Sequence, residues 1–104
     1  MARVRYQQRA EDDLDSIAGY SLDRWGQVQA ERYVNGLQAL CEHLDEDPVL
    51  NRPYRGPYLR RAHASHVVFF RREDDGGVLI VRVLHATMQP ELHSFEDDED
   101  DEDE

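Results

Sequence analysis

Along residues 10–25, AEDDLDSIAGYSLDRW, the less polar positions Ala10, Leu14, Ile17, Ala18, Ser21 and Trp25 recur every three or four residues, and acids fill the gaps. That spacing predicts an amphipathic helix that must bury one side. Glu11, Asp12 and Asp13 fall in its first turn, where carboxylates meet the positive end of the helix dipole. Gly19 weakens the interior and Gly26 interrupts the pattern. The stripe resumes at Ala30, Val34, Leu37, Cys41 and Leu44, widened by Tyr33 and Leu40. This predicts a second helix over roughly residues 27–44, ended by Asp47-Pro48. Two helices joined at Trp25-Gly26 make an αα-hairpin, with Trp25, Tyr33 and the apolar stripe assigned to the core.

Ahead of the helices, ARVRY alternates Val4 with Arg3 and Arg5 and predicts a short strand. Behind them comes a linker, PVLNRPYRGPY, with three prolines and one glycine. Three further strands are expected at Tyr58–Ala62, His66–Arg72 and Val78–His85, the last two joined by the hairpin turn EDDGG. HVVFFRR places Val67 and Phe69 on one face and Val68 and Phe70 on the other, and VLIVRVLH is apolar on both faces apart from Arg82. Strands apolar on both sides are central ones. Helices would cover one face, and the C-terminal segment or a bound partner the other. The expected fold is α+β, in the order β-α-α-β-β-β, with one domain over residues 1–95 and an acidic tail over 96–104.

Charge sharpens this picture. The chain carries twelve arginines, no lysine and a formal charge of −11, of which the tail EDDEDDEDE supplies −9. Between Arg52 and His85 seven arginines face only Glu73, Asp74 and Asp75, so acidic helices stand against a basic sheet. Arginine suits bidentate recognition of carboxylate or phosphate; a lysine-poor coding bias or a salt-adapted host accounts for the composition equally well. The tail is expected to be disordered through self-repulsion. Solubility, salt adaptation and a fold-back onto the basic sheet are three readings of its purpose.

No stretch approaches the roughly 20 apolar residues needed to span a bilayer, and MARVRYQQRA lacks an apolar leader, so the cytoplasm is expected. The lone Cys41 lies on an apolar helix stripe, where a reduced, buried thiol is expected. His63 and His66 come without HExxH or a cysteine cluster, so no metal is expected. Without GxSxG, GxxxxGK or GxGxxG, nothing calls for an activated serine or a phosphate cofactor. Two classes stay open. One is a protein-binding module. The other is a phosphodiester-cleaving site built from His63, His66, His85, His93, Arg60, Arg71 and Arg82, with histidine as acid or base and arginine stabilising developing charge.

The ordered set A-x-x-D-L (Ala10, Asp13, Leu14), I-x-x-Y (Ile17, Tyr20), Trp25, A-x-x-Y (Ala30, Tyr33), PYRGPYLR (Pro53–Arg60), HVVFFR and VRVLHATMQP (Val81–Pro90) resembles the RelE/ParE superfamily of type II toxin–antitoxin toxins over about residues 3–93. The ending R-x-L-H-x-x-M (Arg82, Leu84, His85, Met88) is most similar to the ParE branch. This resemblance implies a non-enzymatic toxin that poisons DNA gyrase and is neutralised by a cognate antitoxin in a hetero-oligomer. Partner-binding candidates on this reading are Arg60, Arg71, Arg82, His85 and Met88. The RelE branch implies instead an endoribonuclease acting on mRNA at the ribosome, with Arg60, Arg71, Arg82, His85 and His93 as catalytic residues and Phe95 as its terminal aromatic. A third possibility is an inactive member that only binds antitoxin. The acidic tail departs from the family pattern.

Overall fold

The computed structural model describes residues 3–46 and 48–95. The order is β1 (Val4–Tyr6), α1 (Gln8–Trp25), α2 (Gln27–Glu42), a 3-10 turn at Pro48–Leu50, β2 (Arg52–Pro53), β3 (Tyr58–His63), β4 (His66–Arg72), β5 (Val78–His85) and a 3-10 turn at Pro90–Leu92. The helices meet across Gly26 alone. Its φ of 87° is costly for any residue with a Cβ, and it lets its N–H reach Leu22 O while its own carbonyl accepts from Ala30 N–H. The second helix stops two residues short of the expected end, although Leu44 is still buried.

The sheet runs β1-β5-β4-β3-β2, so the two strands expected to be central, β4 and β5, are interior, and β3 is interior as well. The proline-rich linker contributes one more strand than expected, the two-residue β2, on an edge that tolerates proline. β1 is parallel to β5, with Val4 opposite Val78 and Tyr6 opposite Ile80. Gly77 makes this approach possible, because a Cβ there would sit 2.8 Å from the carbonyl oxygen of Arg3. β4 and β5 are antiparallel, with one residue of β5 bulged out: Phe69 faces Arg82 and Phe70 faces Ile80. Val81 is therefore the extra residue, and side-chain parity reverses after it.

β1 is too short to cover the second half of β5. Gln7 N–H donates to Ile80 O (2.9 Å), and then the chain turns into α1. Farther along β5 the carboxylate of Asp13 takes over. Asp13 Oδ2 accepts from Val83 N–H (2.9 Å) and from Arg82 Nε (2.8 Å), and Oδ1 accepts from Arg82 Nη2 (2.9 Å). The carboxylate thus satisfies a strand edge and a guanidinium together.

The alternation in β4 and β5 divides the apolar residues into two layers. Ala10, Leu14, Ile17, Leu37, Cys41 and Leu44 of the hairpin bury Val68, Phe70, Val78, Ile80 and Val83. On the opposite face Phe95 covers Phe69, Leu79, Val81 and Leu84, flanked by Tyr54 and Tyr58. The ring centroid of Phe95 lies 5.0 Å from that of Phe69 and 5.0 Å from that of Tyr58. The C-terminal segment is therefore the second cover. Arg61, 8% exposed, is satisfied by Asn51 Oδ1 (2.8 Å), whose amide in turn donates to Leu44 O. One core assignment fails: Trp25 is 45% exposed, because it ends α1 at the hairpin tip, where it meets the Tyr33 ring edge to face at 5.9 Å. The expected disorder of residues 96–104 lies outside the described residues.

Asp13→Ala should lower the unfolding free energy by about 3 kcal/mol, since it strands both a buried guanidinium and a strand N–H. Asp13→Asn should cost less, because it keeps one acceptor; urea denaturation checks both. Phe95→Ala should cost about 3 kcal/mol by the same measurement, and an unchanged midpoint would mean the second face does not need this cover.

Candidate functional site

The strand register sorts the arginines onto two sides of the sheet. Arg5, Leu79, Arg71 and Tyr58 form one row across β1, β5, β4 and β3, and Phe69, Arg60 and Arg52 form the next across β4, β3 and β2. These belong to the face opposite the helices. Arg61 and Arg72, one residue along in each strand, point to the helix side and are consumed there by Asn51 and Asp45. Arg3 and Arg5 are held by Asp75 and Glu73 of the β4–β5 turn. Among the described residues, no salt bridge engages Arg52, Arg60 or Arg71.

Arg82 differs from its neighbours. Its side chain is only 11% exposed, gripped by Asp13 and donating through Nη1 to Ser94 O (2.9 Å). It is a structural cation that fastens the C-terminal segment to α1 and is not open to an incoming anion.

A different group gathers at the far end of the sheet on the helix side. His63, His66 and His85 are consecutive cross-strand partners on β3, β4 and β5. The Tyr33 hydroxyl of α2 is hydrogen-bonded to His66 Nδ1 (2.7 Å), and the rings of His66 and His85 lie edge to face at 5.2 Å. Burial, then the neighbouring His85 and His63, hold His66 below the ordinary histidine range, so it stays neutral. Thr87 N–H donates to His85 Nδ1, which leaves Nε2 as the protonated nitrogen of the neutral ring. Beside them Ser16, Ile17, Tyr20, Thr87 and Met88 complete an open, largely apolar cavity of about 430 Å³.

The structure therefore brings His85 and Met88 together, and Arg60 and Arg71 together, but on opposite faces. His93 belongs to the second face, lining a shallow cavity of about 370 Å³ with Arg55, Tyr58 and Phe95. Phe95, 6% exposed, has no free ring face to offer a base. Tyr20 and Tyr33 were not singled out as site residues in sequence. Their i, i+3 place beside the apolar stripes marked them only as helix surface or core, and the β5 bulge that aims His85 at them leaves no signature in VLIVRVLH.

Other chemistry is weakly supported. Cys41 is wholly buried, and burial pushes its thiol up to about 11, which keeps it protonated and inert. Among the described residues no cluster of three or more His, Cys, Asp or Glu could hold a metal ion, and no helix is long and apolar enough to cross a membrane. Apolar surface is exposed on the hairpin, at Tyr20, Leu22, Trp25 and Val28, and again at Met88.

Residues 4–90 match the family model described as the ParE toxin of the type II toxin–antitoxin system parDE. The Toxin ParE1 of Caulobacter vibrioides is 43% identical over 96 residues, covering 89% of this chain and 98% of that protein. The Toxin ParE1 of Mycobacterium tuberculosis is 34% identical over 82 residues, covering 76% and 84%. Among solved structures, a chain of the chromosomal ParDE system from P. aeruginosa superposes with a TM-score of 0.71 at 19% identity, covering 82% of this chain and 96% of that one. A chain of the M. tuberculosis toxin–antitoxin complex RelBE2 gives 0.61 at 19% identity, covering 81% and 96%. At that identity the superpositions speak for the fold.

Because His66 is held below its unfolded value, the unfolded chain binds the extra proton first as pH falls. Stability is full above the unfolded histidine value of about 6.5 and declines as pH drops below it, levelling off once the folded His66 also protonates. His66→Gln should flatten the pH dependence of the urea midpoint between about pH 7.5 and 5.5 relative to the parent chain.

Proposed function

The chain belongs to the ParE family of type II toxin–antitoxin toxins, and from that premise we propose that it inhibits DNA gyrase in the cytoplasm by binding it. A cognate antitoxin neutralises it in a hetero-oligomer. The observation that carries this reading against RNA cleavage is the division of the conceivable acid–base set. His85 and His66 stand on the helix side, Arg60, Arg71 and His93 on the other, and Arg82 is committed to Asp13. General acid–base catalysis needs its groups within hydrogen-bond reach of one reacting phosphate, and the sheet itself stands between them here.

The same arrangement suits recognition. His85, Met88 and Tyr20 border a cavity that accepts an apolar partner side chain, and the exposed Leu22, Trp25 and Val28 continue that surface along the hairpin. Arg60 and Arg71 offer paired guanidinium forks to partner carboxylates on the second face. Two dissimilar faces give one small domain room for both a target and an antitoxin.

Purified protein should block negative supercoiling of a relaxed plasmid by gyrase and leave mRNA intact on translating ribosomes. Cut RNA with normal supercoiling would overturn the proposal. Met88→Asp should weaken gyrase inhibition by about tenfold without shifting the melting temperature, since Met88 is 46% exposed and its loss leaves the core untouched.

A further inference from the structure

β1 is an edge strand with one side unused. It pairs with β5 alone: Val78 N–H donates to Arg3 O (2.7 Å), and Gln7 N–H donates to Ile80 O (2.9 Å). Along a parallel strand alternate residues turn their N–H and C=O to the neighbour. Arg3, Arg5 and Gln7 therefore face β5, and the backbone groups of Val4 and Tyr6 face outward. The side chains of Val4 and Tyr6 belong to the helix layer, where with Cys41, Leu44 and Val78 they line a cavity of about 510 Å³. Arg5 points the other way and is held by Glu73. The opposite edge of the sheet offers only the two residues of β2, one of them a proline without an N–H.

The rim of this cavity is the end of α2. Glu42, Asp45 and Glu46 stand there, and the last turn of α2 carries no basic residue to offset the negative end of the helix dipole. Arg72 takes Asp45 and His43 meets Glu46 at 2.7 Å, but among the described residues no salt bridge engages Glu42.

We propose that β1 is a docking edge for an extended basic segment of another protein, which adds as a sixth strand and places a lysine or arginine side chain in the cavity beside β1. A strand about 4.8 Å beyond β1 satisfies the outward groups of Val4 and Tyr6, and its residues alongside them turn their side chains toward the cavity. A long basic side chain suits both parts of the site. Its aliphatic stem lies on Val4, Tyr6 and Leu44, and its head reaches Glu42 and Glu46. A helix has no free backbone groups to give this edge. A second copy of the chain would bring valine and tyrosine instead of a cation, and a second acidic α2 end against the first. The site lies at the end of β5 away from His85, on neither Arg60 nor Arg71, and is independent of whether gyrase is the target.

The test titrates the full chain at neutral pH with the peptide TKTVTKT, whose lysines and valine share one face when extended. The amide protons of Val4 and Tyr6 should move downfield and saturate with a Kd of about 1 mM, while those of Arg71 and His85 stay in place. Absence of a saturable shift up to about 5 mM would overturn the proposal. Two N-methylated peptides, one blocked on the threonines and one on the lysines and valine, keep every charge but remove N–H groups from opposite edges. One of them should lose binding at least about tenfold and the other should keep it. Equal binding of both would reduce the contact to charge attraction and overturn the strand. Glu42→Gln/Glu46→Gln should weaken the peptide about fivefold and blunt its salt dependence. Both carboxylates are exposed, so the urea midpoint of that variant should match the parent. Binding that ignores the double substitution would overturn the basic occupant.

Discussion

Where β1 stops, the sheet continues on a side chain. Asp13 receives the Val83 N–H that a longer first strand would have taken and binds the Arg82 guanidinium in the same gesture. Much depends on this carboxylate. It fixes the pitch of α1 against β5, and with it the hairpin that supplies one layer of the core. Through Arg82 it holds the Ser94 carbonyl, and so it steadies the segment whose Phe95 forms the other layer. A neutral apolar pair could fill that space, but it could not satisfy the strand N–H, which is why a costly partly buried ion pair is tolerated here.

Much of this architecture was legible in sequence because each element obeyed a single period. The helical stripe from Ala10 to Leu44 and the two-sided strands HVVFFRR and VLIVRVLH lead directly to the hairpin and to the interior strands. The split of Arg60 and Arg71 from Arg61 and Arg72 follows from strand parity alone, and the register agrees. The site was less legible. Asp13 was expected in a first turn, where the helix dipole is reason enough for an acid, so its tertiary role gave no separate signal; α1 in fact begins at Gln8 and keeps only Glu11 in that turn. Trp25 followed the stripe but reached the hairpin tip, where periodicity says nothing about whether an opposing surface exists. Arg82 looked like the third member of a basic row, yet the bulge beside it and the acid above it make it structural.

The two faces now have different characters. The helix side ends in a partly buried histidine row bordered by apolar surface, and its recognition would be by shape and desolvation. The other side is an aromatic plateau ringed by guanidinium groups, and its recognition would be by charge, faster and more sensitive to salt.

The bulge at Val81 acts as a frameshift within a strand. Upstream of it, even-numbered residues of β5 serve the helix layer; downstream, odd-numbered ones do. Losing Val81 would restore an unbroken alternation, with Arg82 still opposite Phe69 and His85 still opposite His66, whereas one more residue inserted after Arg82 would exchange the duties of Val83 to His85 and turn His85 away from Tyr20 and His66. Point substitutions in this half of β5 can be absorbed one at a time, whereas an added residue rewrites the entire corner at a stroke.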